Sequence, residues 1–269
     1  MAKKSRRQAS PFNPANTRSG VGALLMGALL ILSPLYVQAS VEPELKPYTA
    51  QYDTSARGMH VTLKRELKSD GKGGYTLTNG GKILVVGFHE VAVFRVDGEE
   101  MIPKSYVYQG TGLINRRREV HFTPGSDTVR SLYKGEWYEL PNKTGTLDRL
   151  SQQEHLRLLL LTAPNPKDDK VITVADGRKV KQYRISYVGE EILDTPLGLV
   201  RTLHFERRHD DPNRKSEMWV APDWDYLMVK TIHVEDGDPV EVTLTRASID
   251  GQLVRGQNKD SKGKVADSR

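Results

Sequence analysis

The chain has 269 residues and no cysteine, which excludes disulfides, thiolate nucleophiles, cysteine zinc sites and lipidation at a cysteine. Its net charge of +6 belongs to the two ends. Residues 1–39 carry five basic side chains and 251–269 carry five basic and two acidic ones. That leaves 30 basic against 32 acidic residues in 40–250, so a nucleic-acid partner is not expected.

At the N-terminus, Lys3, Lys4, Arg6, Arg7 and Arg18 precede the apolar run Val21–Leu32. Pro34 interrupts its end, and Val37-Gln38-Ala39 supplies small residues before Ser40. A basic start, an apolar middle and a small-residue exit make a secretory signal peptide, with cleavage after Ala39. The alternative is a retained membrane anchor, but a spanning helix needs roughly 20 apolar residues and this run is shorter. The expected location is therefore the periplasm.

From Tyr48 onward, alternation with period two dominates. Met59, Val61, Leu63 and Leu67 alternate with His60, Thr62, Lys64 and Glu66. The pattern returns at Tyr183, Ile185 and Tyr187, and again at Val240, Val242 and Leu244. Successive strand side chains point to opposite faces, so each run has one apolar and one polar side. Such strands belong to antiparallel sheets with one wet face. Asp97-Gly98, Asp176-Gly177 and Asp236-Gly237 separate strand-like runs and predict hairpins, as does the glycine-rich 70–74.

One segment departs from period two. Residues 147–162 read LDRLSQQEHLRLLLLT, and Leu147, Leu150, Leu158 and Leu161 recur at helical steps. Asp148 is placed to cap this helix, and Ser151 with Glu154 offers a capping box one turn later. Gln153 and Glu154 fall on the side away from the leucines, and Pro164 ends the helix. The fold class expected is mainly β: a single antiparallel, strongly curved sheet or open β-barrel with one helix packed on it. The domain plan is a signal peptide at 1–39, one β-rich domain at 40–250 and a disordered polar tail at 251–269.

Four stretches in this order resemble a family. They are Tyr48-Thr49-Ala50-Gln51-Tyr52; Trp137 to Pro141 leading into Asp148-Arg149-Leu150-Ser151; Glu191 to Gly198 with Thr202; and Glu217 to Pro222. Together they are similar to the bacterial exported domain of unknown function 3108, over about residues 47–247. The resemblance implies an exported, β-rich single domain. The chain departs from the family pattern after the Glu-x-Trp motif, with Asp223-Trp224-Asp225-Tyr226. A looser architectural likeness to periplasmic lipoprotein carriers, in which a curved sheet wraps a helix, is an analogy of shape.

The sequence offers three chemistries. His204-Phe205-Glu206 with His209 and Asp210 suits a divalent cation, but a solvated strand face explains it better, so no metal and no cofactor is expected. Paired carboxylates suit glycan cleavage, and Glu217 beside Trp219 with Asp148 as partner is the candidate catalytic pair. Third, a half-open barrel lined by aromatics suits an acyl chain. The candidate ligand-binding residues are Trp137, Trp219, Tyr106, Tyr108 and Tyr187. The expected activity is non-covalent binding of an amphiphile, or a scaffold or chaperone role in envelope biogenesis. The alternative is an enzyme on envelope polysaccharide. Expected partners are a lipid or other amphiphile, or an envelope glycan, with transient membrane-surface contact and no nucleic acid.

Overall fold

The alternating runs become strands, and Asp97-Gly98, Asp176-Gly177 and the glycine-rich 70–74 between them become tight turns, while Asp236 lies outside the described residues. The computed structural model describes residues 44–56, 59–83, 85–113, 115–209, 213–235 and 237–258. The signal segment 1–39 and its exit at Ala39 lie outside the described residues. The first half is a meander: β1 (Tyr48–Ala56), β2 (Met59–Ser69), β3 (Gly74–Ile83), β4 (Val86–Asp97), β5 (Glu100–Gly112), β6 (Arg117–Phe122), β7 (Thr128–Tyr133) and β8 (Glu136–Pro141). Then come the short β9 (Thr146–Leu147) and the helix α1 (Ser151–Thr162). A second meander follows: β10 (Lys170–Asp176), β11 (Lys179–Thr195), β12 (Gly198–Arg207), β13 (Lys215–Ala221), β14 (Leu227–Glu235), β15 (Asp238–Ile249) and β16 (Gln252–Leu253).

All of these strands form one sheet, in the order β8 to β1, then β15 down to β9, with β16 paired to β15. The first strand therefore pairs with β15, and the two edges, β8 and β9, are consecutive in the chain. Laid flat, fifteen strands at about 4.8 Å spacing would put those edges about 65 Å apart. The connection 142–145 can span no more than about 17 Å. The sheet must roll up until its edges meet.

Side chains and not a hydrogen-bonded ladder span the remaining gap. Ser131 Oγ on β7 donates to the Gly177 carbonyl in the β10–β11 turn (2.7 Å), and Arg118 on β6 reaches Asp176 (3.7 Å). Bulges at Gln51/Tyr52, Val93/Phe94, Tyr187/Gly189 and Trp219/Val220 add local bend. The expected architecture is met: a mainly β, strongly curved open sheet with one helix. One pairing, β9 with β10, is parallel.

The helix lies in the concavity. Leu156, Leu158 and Leu160 join Tyr48, Tyr52, Phe94, Tyr106 and Phe205 in one continuous core. Asp148 stands where the sequence puts it: its Oδ1 accepts from the N–H groups of Leu150 and Ser151, and its Oδ2 accepts from Ser151 Oγ. The capping box does not form. Ser151 donates to Asp148, and Glu154 is 2% exposed on the inner side of the helix. Four residues after Leu150 and four before Leu158, Glu154 falls on the leucine face and not away from it, and partners on β1 and β2 hold its carboxylate there.

The polar tail also needs correction. Gln252–Leu253 pair with β15, Gly256 N donates to the Leu197 carbonyl (2.8 Å), and Gln257 bonds Leu199 in both directions. Gly198 allows this approach: its φ is +110°, and a Cβ there would lie 2.7 Å from the Gln257 carbonyl oxygen. Residues 251–258 are thus tied to the sheet, and 259–269 lie outside the described residues.

His155 on α1 gives the fold a pH dependence. Burial lowers its pKa to about 4, and its Nδ1 has no hydrogen-bond partner among the described residues. An unfolded His titrates at about 6.5, so between these values the unfolded chain holds the extra proton. This contribution is complete above about pH 6.5, falls as pH drops, and is gone below about pH 4; its size is about 3 kcal/mol. Urea unfolding at pH 7 and pH 4.5 is expected to show a smaller acid loss in His155→Gln than in the parent. Equal losses would show that His155 is not the group responsible.

Candidate functional site

Strand parity sets the lining of the concavity. On β2, Arg65 is in phase with Val61, Leu63 and Leu67, so it faces inward and is 6% exposed. On β12, Arg207 is in phase with Leu203 and Phe205, and on β13 Ser216 is in phase with Met218 and Val220. Charged and polar groups are thus carried into an otherwise apolar space, where each needs a partner.

The partners come from α1. Tyr48 Oη donates to Glu154 Oε1 (2.6 Å), Arg157 Nη1 donates to Glu154 Oε2 (3.0 Å), and Arg65 Nη2 lies 3.8 Å from the same carboxylate. Arg65 Nη1 also donates to Gln153 Oε1. Arg157 covers the Tyr48 ring at 5.1 Å, and its Nε donates to the Asp225 carbonyl (2.8 Å). Burial raises the Tyr48 pKa well above its ordinary value and pushes Tyr52 up to about 12, so both phenols stay protonated donors. One carboxylate thus serves two buried guanidiniums and a phenol.

Arg157 also holds a strained turn. Asp225 and Tyr226 have φ of 50° and 56°, consecutive left-handed residues without a glycine. Tyr226 N donates to the Ala221 carbonyl (2.9 Å), and Lys46 pairs with Asp225 (2.9 Å).

Beside this network is a cavity of about 290 Å³ between α1 and strands β13 and β14. Its apolar lining includes Leu63, Leu156, Ile185, Met218, Leu227 and Val242. A second, larger hollow of about 790 Å³ lies next to it, lined by Arg118, Arg149, Asp176, Lys181, Tyr183 and Arg208 among others. Gln152, Gln153, Arg207 and His233 line both. At that shared wall, Ser216 Oγ lies 2.7 Å from His233 Nδ1, 2.9 Å from His209 Nε2 and 3.2 Å from Arg207 Nη2.

Of the residues singled out in the sequence, Glu217 lines the apolar cavity and His209 the larger hollow, while none of the five aromatic candidates lines either. Trp137 is 45% exposed on the edge strand β8, under Arg130 at 4.6 Å. Trp219 is buried on the sheet face opposite Val220, stacked on His204 at 4.2 Å. Tyr106 is in the core, Tyr108 stacks on Phe88, and Tyr187 meets Phe205 edge to face. Glu217 pairs with Lys215 (2.9 Å) and with His204 (3.2 Å). Asp148 is fully buried at the helix start, so the two carboxylates are held by different elements and different partners. His204 has a carboxylate on each ring nitrogen, Glu191 and Glu217. Among the described residues, no three acidic, His or Cys side chains gather as a metal site.

The inner polar residues were readable only as a break in phase. Arg65 occupies the one position of the Val61–Leu67 face that is not apolar. Arg207 does the same after Leu203 and Phe205. The Ser216–His209–His233 group joins separate segments and leaves no mark in any one of them.

No curated protein matches the chain. Among solved structures it is similar to a β-barrel-like protein of domain of unknown function DUF1849 from Brucella abortus. Identity is 11% and the TM-score 0.51, over 77% of this chain and 99% of that one; this likeness speaks for the fold alone. A protein from Bacteroides fragilis, described as exported with a YmcC-like fold, matches at 13% identity and TM-score 0.31, over 77% and 97% of the two chains. A domain from Vibrio parahaemolyticus, described as outer membrane lipoprotein-sorting, matches at 9% and 0.24, over 80% and 88%. Those two scores are too low to carry weight. The model of the DUF3108 family, proteins of unknown function, matches residues 47–245, which include all four motifs. The chain belongs to the DUF3108 family.

Proposed function

We propose that this protein is exported to the periplasm and binds an amphiphilic molecule non-covalently in the concavity of its sheet. The observation that supports this is the pair of adjoining hollows, one apolar and one polar, sharing a wall at Arg207 and His233. A molecule with an apolar and a polar part matches both at once, and ligand sites are typically apolar clefts with a few convergent polar groups. A carrier, chaperone or scaffold role in envelope biogenesis follows from such binding. Among the described residues, no helix is long and apolar enough to cross a membrane.

Native mass spectrometry of protein purified from the envelope fraction is the test. The expected spectrum shows a chain lacking residues 1–39, with a co-purifying lipid. Met218→Trp narrows the apolar cavity and is expected to lower lipid occupancy by about tenfold, as overpacking costs about 1–3 kcal/mol. An empty protein that shortens envelope glycans, and loses that activity on Glu217→Gln, would establish the polysaccharide enzyme instead. A full-length chain held in the membrane would overturn the export reading.

A further inference from the structure

The larger hollow has a charge imbalance that the apolar cavity does not explain. Arg118, Arg149 and Lys181 all point at one carboxylate, Asp176, at 3.7, 3.8 and 3.8 Å. None of these distances is a close hydrogen-bonded contact, and Glu90, the further carboxylate that acts on Arg149 and Arg118, does not line the hollow. Arg207 adds a fourth at the wall shared with the apolar cavity, lying over the Tyr183 ring at 4.4 Å. Its pKa is lowered by burial first, and Arg214 and Arg149 add to that while Tyr183 opposes it. Arg208 lines the same space. Arg214, His209 and His233 have partners of their own, and the imbalance stands without them.

Part-exposed guanidiniums and an ammonium around one lining carboxylate leave an excess of positive charge that attracts a second anion, and planar guanidiniums bind phosphate or carboxylate oxygens in pairs. Arg118 comes from β6, Arg149 from the turn between β9 and α1, Lys181 from β11 and Arg207 from β12. Elements from both meanders therefore converge on this space, as they would to hold one anion.

We propose that this basic hollow receives the anionic group, a phosphate or a carboxylate, of an amphiphile whose apolar chain enters the neighbouring cavity. The ligand class is thus an anionic amphiphile and not a neutral or zwitterionic one. This rests on the amphiphile reading above and adds the headgroup to it.

Titration calorimetry of the mature protein with two single-chain lipids of equal chain length tests it. Lysophosphatidylglycerol carries a net negative headgroup, and lysophosphatidylcholine is zwitterionic. The anionic lipid is expected to bind at least about tenfold more tightly, in line with charge-assisted hydrogen bonds. Raising salt from 50 to 500 mM is expected to narrow that ratio. Arg149→Gln and Lys181→Gln change side chains that are 43% and 44% exposed, so the fold is expected to survive. Each is expected to weaken the anionic lipid several-fold and the zwitterionic one, whose choline offsets its phosphate, by clearly less. Equal affinity for both lipids, unaltered by either variant, would overturn the headgroup assignment and leave amphiphile binding standing. Binding of neither would remove both. Inorganic phosphate that binds as tightly as the anionic lipid would show a free anion as the occupant and overturn the proposal.

Discussion

Replacing Glu154 by Gln is expected to cost about 3–5 kcal/mol of folding stability, the usual effect of removing one partner from a buried charge cluster. Glu154, Arg65 and Arg157 are 2%, 6% and 3% exposed. The carboxylate oxygens bind Tyr48 and Arg157 and face Arg65. Without it, two guanidiniums remain out of water, and only Arg65 keeps a carboxylate acting on it, that of Glu90. The cluster ties α1 to β1 and β2, and Arg157 carries the tie on to the strained turn at Asp225. Glu154→Gln is therefore expected to loosen that turn too, with earlier hydrogen exchange at Tyr226. Replacing all three charged residues by Leu or Met is expected to restore much of the lost stability, since an apolar core of similar volume has no desolvation penalty. Denaturant midpoints decide it. A cost below about 1 kcal/mol would show that these charges remain hydrated.

Trp219→Ala is expected to lower stability by about 3–5 kcal/mol, and Trp137→Ala by about 1 kcal/mol or less. Trp219 is 6% exposed, with His204 stacked on one side and Lys230 at 5.5 Å. Removing its ring opens a cavity beneath His204, whose ring nitrogens lie 3.0 and 3.2 Å from the Glu191 and Glu217 carboxylates. Trp137 stands 45% exposed with Arg130 over its ring, an arrangement water can largely replace. Acrylamide should quench Trp137 strongly and Trp219 weakly in single-Trp variants that also carry Trp224→Phe. Strong quenching of Trp219 with a protected Trp137 would reverse both placements. Neither ring lines the two hollows, so amphiphile binding is expected to change the emission of both only slightly.

Much of the fold was legible from local pattern. Alternation marked the strands, Asp-Gly pairs marked the hairpins, and the one run with helical spacing marked α1. Asp148 as the residue that caps it was also readable, because capping chemistry is complete within four residues. The family was legible because its four motifs keep their order along nearly the whole β-rich region. The site was not. Aromatic residues drew attention because they are large, and size says only that a side chain is worth burying, not which space it borders.

What the sequence determined by itself is each strand's two faces, the helix and the order of elements, since all of these depend on neighbours a few residues apart. What the tertiary structure alone decided is which charges are buried together. Arg65 and Glu154 each break a pattern in their own segment, but Tyr48 and Glu154 meet across 106 positions of chain. The roll of the sheet brings them together, and that roll follows from β1 pairing with β15 while a four-residue link joins the opposite edges. A charge on an apolar face reads as an error until the fold supplies its counter-charge, because Coulomb attraction in a low-dielectric interior depends on distance in space and not along the chain.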